Sequence, residues 1–104
     1  MEKTNEQLET EIIEVLKTIY DPEIPVNIYE LGLIYKITIT GSTVDIEMTL
    51  TSPNCPMTDV LIYQIDSRLK LVDGIEDVKV DLTFDPPWDK DMISEEGKLQ
   101  LGLL

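Results

Sequence analysis

Residues 33–40 and 43–50 alternate apolar and polar side chains on either side of Gly41-Ser42, and this pair constrains the chain more than any other feature. A two-residue loop with glycine first fits a type II′ hairpin turn, whose first central residue needs positive φ. The turn fixes the register, pairing Ile39 with Val44, Ile37 with Ile46, Tyr35 with Met48 and Leu33 with Leu50 on one face. The other face then matches Thr40 with Thr43, Thr38 with Asp45, and Lys36 with Glu47, an opposite-charge pair. A slip by one residue would scatter both sets, so the sequence predicts this hairpin in one register.

Helical periods flank it. Leu8, Ile12, Val15, Leu16 and Ile19 form one stripe, Thr4 and Gln7 have capping-box spacing, and Pro22 is expected to end the helix. Met57, Leu61, Ile65 and Leu69, with Val60 beside them, predict a second helix from Pro56 to about Val72, closed by Gly74. Val78, Val80, Leu82 and Phe84 then alternate with Lys79, Asp81 and Thr83 as a half-buried strand, and a strand–helix–strand crossover makes it parallel to the second strand. Asp85-Pro86-Pro87-Trp88 excludes helix and central strand. A short helix is expected from Ser94, and an apolar tail of Leu99, Leu101, Leu103 and Leu104 is expected to pack on the domain or on a second subunit. The expectation is one α+β domain over residues 1–104. It is a two-layer α/β sandwich in the order α-β-β-α-β plus a short C-terminal helix, with a three-stranded mixed sheet and its helices on one face.

The residue inventory narrows the chemistry. A chain of 104 residues without histidine cannot build a Ser-His or Cys-His pair. One cysteine cannot complete a usual zinc site, and no glycine-rich nucleotide loop is present. With 21 acidic against eight basic residues, the net charge of −13 disfavours nucleic acid and anionic membranes. It suits a soluble protein, or one that attracts a basic partner or cations. No apolar run reaches the roughly 18 residues that would span a bilayer. The N-terminus does not read as a signal peptide, and a lone Cys55 forms no internal disulfide, so a cytoplasmic location is expected.

Two clusters remain. In Thr49-Leu50-Thr51-Ser52-Pro53-Asn54-Cys55-Pro56-Met57, the proline after Cys55 marks the first helical position and makes Cys55 the expected N-cap. Free amides and the helix dipole there favour a thiolate, which is the nucleophilic and metal-binding form. Thr51, Ser52 and Asn54 offer hydrogen bonds. No cation lies nearby in sequence and Asp59 opposes the charge, so a passive cap or small buried apolar group stands as an equal alternative. Asp21-Pro22-Glu23-Ile24-Pro25 places two carboxylates in a stiff loop that could face a cation, although Asp and Pro are also ordinary turn formers. Trp88 reads either as a lid on the core or as a binding platform.

These motifs carry a resemblance. Asp21 through Tyr35, Met48 through Met57, and Phe84-Asp-Pro-Pro-Trp88 with Met92 and Gly102-Leu103 resemble, in order and over nearly the whole chain, the SufT-like family. Its members are small iron–sulfur cluster assembly proteins, also called PaaD-like metal–sulfur cluster biosynthetic proteins. The resemblance implies a maturation factor without turnover chemistry, working with the iron–sulfur assembly machinery and recipient apoproteins. Cys55 would be its transient iron or cluster ligand or its reactive thiol. Asp21, Glu23, Thr51, Ser52, Asn54 and Trp88 would shape the pocket. A cluster wants about four such ligands, so one chain would share it with a second subunit, a client or a small thiol. The cysteine-rich C-terminal extension of the PaaD branch and the P-loop ATPase fused in other relatives are absent from this sequence. An adaptor that never touches metal is the alternative. A thiol enzyme is disfavoured, since only carboxylates could act as base.

Overall fold

A computed structural model describes residues 4–21, 24–51 and 58–102. Helix α1 spans Asn5–Leu16, strand β1 Ile34–Thr40, β2 Thr43–Met48, helix α2 Thr58–Leu69, β3 Asp77–Leu82 and helix α3 Glu95–Gln100. The sheet order is β1-β2-β3, with β1 antiparallel and β3 parallel to the central strand. This is the expected mixed sheet and element order.

The helices form as their patterns require. Thr4 caps α1 with the reciprocal Gln7 capping box, and Leu8, Ile12 and Leu16 point into the core. α1 stops at Leu16, short of the expected Pro22, because Thr18 and Ile19 tighten onto the carbonyls of Val15 and Leu16. Ile19 still reaches the core from this final turn. α2 buries Leu61, Ile65 and Leu69 and ends at Leu69, before the expected Val72. Its expected start at Pro56 lies outside the described residues. Val44, Ile46 and Met48 of β2 are fully buried, whereas Thr43, Asp45 and Glu47 on the other face are not. A single apolar layer therefore sits between the sheet and two helices that also pack on each other. Each such aliphatic side chain contributes about 1.5–3 kcal/mol of burial.

The hairpin register holds from Thr40–Thr43 to Lys36–Glu47 and then departs from expectation. Gly41 has φ 62° and Ser42 is not left-handed, as a type II′ turn demands. Beyond Lys36 a β-bulge intervenes: Ile34, not Tyr35, faces Met48, and Leu33 accepts from the amide of Thr49 in place of pairing with Leu50. The extra residue frees Tyr35, whose hydroxyl donates to the Pro86 carbonyl at 2.8 Å and lies 3.6 Å from Met92 Sδ. On β3, Val78 and Val80 are half-buried as expected, but Leu82 and Phe84 are exposed at 37% and 44%. The strand ends at Leu82 and takes both beyond the cover of the helices.

After β3 the chain turns through Asp85–Trp88, where the Asp85–Pro86 peptide is cis, into an unforeseen 3₁₀ turn at Lys90–Met92. Ser94 caps α3 by accepting from the Gly97 amide. Of the apolar tail, Leu101 packs against the core, Leu99 is exposed, and Leu103 and Leu104 lie outside the described residues.

Candidate functional site

Topology brings the described parts of the three sequence motifs to one end of the sheet. The last rung of the ladder is Ile34–Met48–Leu82, one residue from each strand. β1 begins there, whereas β2 and β3 end there. The amide of Thr49 donates to the Leu33 carbonyl at 2.9 Å, and that of Thr83 to the Met48 carbonyl at 2.8 Å. The acidic loop before Leu33, the threonine segment after Met48 and the Thr83–Trp88 turn therefore leave the sheet side by side. Crevices at the carboxyl ends of parallel strands are where open α/β sheets commonly bind ligands.

The acidic loop is held by its own polar groups. Asp21 is only 6% exposed, and its Oδ1 accepts from the Ile24 amide at 3.1 Å. Its amide donates to the Val26 carbonyl, and Tyr20 and Asn27 form an isolated antiparallel bridge. Asn27 Oδ1 accepts from the Glu30 amide at 2.8 Å and starts the next turn. Asp21 thus has the turn-forming role open to it from sequence, at the neck of the loop that carries Glu23. Glu23, Ser52, Asn54 and Cys55 all lie outside the described residues.

Two buried hydroxyls flank this region. Thr49 is fully buried and, among the described residues, its Oγ1 has no hydrogen-bond partner; the Oγ1 of half-buried Thr51 is likewise buried and without a partner among them. A buried hydroxyl without a partner is costly, so these donors are available to a group brought against them. Thr51 was a sequence candidate and Thr49 was not. The missing signal was the bulge, which changes what Thr49 faces at the end of β2.

Trp88, with residues that were not candidates, forms a clasp. Trp88 Nε1 donates to the Leu31 carbonyl at 2.7 Å while its ring packs against the core, which is the lid reading. Ser94 Oγ donates to Glu30 Oε2, and the Ser94 amide donates to the Glu30 carbonyl at 2.8 Å. Lys17 Nζ sits 3.7 Å from Glu30 Oε1 and 5.5 Å from the Tyr29 ring centre. Glu30 is buried, so its charge is met by one ammonium and one hydroxyl. The sequence offered Glu30 only as a motif letter, since Ser94 lies 64 residues away. Trp88→Phe keeps the packing and removes the donor to a buried carbonyl. It is expected to lower stability by about 1–3 kcal/mol in urea denaturation followed by circular dichroism.

Among the described residues no group of three or more His, Cys, Asp or Glu side chains could hold a metal ion. No helix among them is long and apolar enough to cross a membrane.

Comparison with known proteins bears on this arrangement. The family model described as iron–sulfur cluster assembly protein matches residues 9–82. An Fe-S protein maturation auxiliary factor from Porphyromonas gingivalis is 52% identical over 103 residues, covering 96% of this chain and 98% of that protein. The Fe-S protein maturation auxiliary factor SufT of Staphylococcus aureus is 40% identical over 86 residues, covering 82% of this chain and 98% of its own length. The crystal structure of a domain of unknown function from Bacillus anthracis superposes with a TM-score of 0.87 at 32% identity, covering 95% of each chain.

Proposed function

We propose that this chain, which belongs to the iron–sulfur cluster assembly protein family and serves in iron–sulfur protein maturation, works as a transient carrier. In this reading Cys55 holds iron or a nascent cluster and presents it to recipient apoproteins. The observation that carries the reading is the meeting of the described parts of the three motif segments at one sheet end, where the Thr49 and Thr51 hydroxyls, without partners among the described residues, lie on the segment that leads to Cys55.

The chemistry supports transience. A single thiolate supplies one of about four ligands a cluster wants, so the cargo stays exchangeable and is completed by a client or a small thiol. In this reading Asp21, Glu23, Thr51, Ser52, Asn54 and Trp88 surround the Cys55 thiolate, a role that the burial of Asp21 and the unpartnered Thr51 hydroxyl among the described residues support. Carboxylates in the acidic loop suit a cationic cargo, and hydroxyl donors suit thiolate or sulfide sulfur. A lone cysteine that works as a reduced thiol supports a reducing compartment, the cytoplasm, in this reading. The partners are the assembly machinery and recipient apoproteins.

Anaerobic reconstitution with ferrous iron and sulfide tests the carrier reading. The wild-type chain is expected to develop visible absorption that Cys55→Ala lacks, and to pass its iron to an apo-ferredoxin. Equal absorption from both proteins would remove Cys55 from the mechanism. Retained client capture without any Cys55-dependent absorption would turn the reading into the adaptor.

A further inference from the structure

The open edge of β3 is built to pair with itself. β3 is the last strand of the sheet, and among the described residues nothing pairs with its outer side. The amides of Asp77 and Thr83 turn inward to the carbonyls of Ser42 and Met48. Backbone groups alternate along a parallel strand, so Val78, Val80 and Leu82 present their N–H and C=O groups outward. The edge therefore offers hydrogen-bonding groups at three consecutive outward positions, on a strand whose apolar face already shows Leu82 at 37% exposure and Phe84, just beyond it, at 44%.

We infer that a second copy of this chain docks there, antiparallel, about a two-fold axis through Val80. Several registers are open to a strand meeting itself, and charge together with the length of strand paired selects among them. Centring on Val80 sets Val78 opposite Leu82, Val80 opposite Val80, and Lys79 opposite Asp81 of the second copy, with each unlike pair occurring twice. The outward-facing residues are then the hydrogen-bonded pairs, as an antiparallel ladder requires. Centring on Lys79 instead opposes lysine to lysine and Asp77 to Asp81. Centring on Asp81 opposes aspartate to aspartate. A charge in the middle of an edge strand ordinarily blocks such pairing, but here Lys79 meets an aspartate when the axis passes through Val80 or Val78, and only the Val80 register also pairs all three outward positions, Val78, Val80 and Leu82, within the strand.

The result is a continuous six-stranded sheet. The sheet end that gathers the motif loops lies just past Leu82, so the two copies carry their loop clusters about 20 Å apart at opposite ends of the shared strands.

Analytical ultracentrifugation of the full chain across a concentration series tests the interface. Wild type is expected to show a concentration-dependent dimer, with the Val78, Val80 and Leu82 amides gaining hydrogen-exchange protection as concentration rises. Lys79→Asp and Asp81→Lys each set like charges opposite one another and are expected to weaken self-association by about tenfold or more. Mixed together, they restore unlike pairs at both positions and are expected to form a heterodimer. A fold defect in either variant would not be rescued by mixing. A wild-type monomer throughout, unimpaired dimerisation by either variant, or a mixture that stays monomeric would each overturn the proposal. Cys55→Ala is expected to dimerise as wild type does, so loss of the carrier chemistry leaves this interface standing.

Discussion

Gly32→Ala is expected to destabilise the protein by about 3–5 kcal/mol, the sum of left-handed backbone strain and a forced overlap. Gly32 has φ +80°, and a Cβ there would lie 2.3 Å from the Met92 carbonyl oxygen and 2.9 Å from its carbon. These are backbone atoms of the clasped tail, so the tail itself would have to move. Gly41→Ala is the control, because its φ is +62° but a Cβ would meet nothing within 4 Å. It is expected to cost only the backbone term, about 1 kcal/mol. Urea midpoints of the two variants separate strain from contact. Equal losses would mean that the tail does not close over Gly32 in solution. The larger loss would also loosen Trp88 and Ser94 from the acidic loop, so the same variant should speed hydrogen exchange at Ser94, whose amide donates to Glu30.

Ile46→Ala is expected to cost about 3–4 kcal/mol, through lost burial and the cavity left behind. Ile46 is fully buried at the middle of the central strand, opposite Ile37 on β1 and Val80 on β3. Small domains hold only about 5–15 kcal/mol in total, so this one change should bring the fold near its limit. Thr38→Ala, on the exposed face of the same hairpin, is expected to stay within about 0.5 kcal/mol. Thermal and urea unfolding of both variants check the assignment of faces. If the two lost similar amounts, the sheet would not bury the face described. The same strand leads into Thr49 and Thr51, so the core and the candidate site share this support.

The hairpin shows where sequence reasoning reaches its limit. From Gly41 outward each pair is set by a local turn and strict alternation, and five rungs follow it, from Thr40–Thr43 to Lys36–Glu47. The sixth fails because Tyr35 is drawn toward Pro86, 51 residues away, and nothing near Tyr35 in sequence announces that partner. The end of α1 was misplaced for a similar reason. A proline excludes helix after it, but the final turn closed earlier, where the chain had to swing Ile19 into the core and begin the acidic loop.

For the site, the inventory of reactive groups was legible, since counting histidines and cysteines needs no coordinates. The partners were not. Asp21 and Trp88 were candidates by type, yet a local amide and a distant carbonyl give them structural duties that no spacing rule foretells. The contact between Glu30 and Ser94 was not legible, because each is an ordinary polar residue until the tail folds back.

By itself, the amino-acid order determined the elements, the parallel crossover, the one-sided packing of helices and the restriction to thiol or carboxylate chemistry. These follow from periodicity, turn geometry and residue type, all of which act over a few neighbours. Only the tertiary structure decided that the described parts of three remote motifs share one sheet end, that the tail is clasped by Glu30 and Gly32, and that the third strand has no outer partner among the described residues. Those outcomes depend on contacts between segments far apart in sequence, whose energies arise only once the core has brought them together.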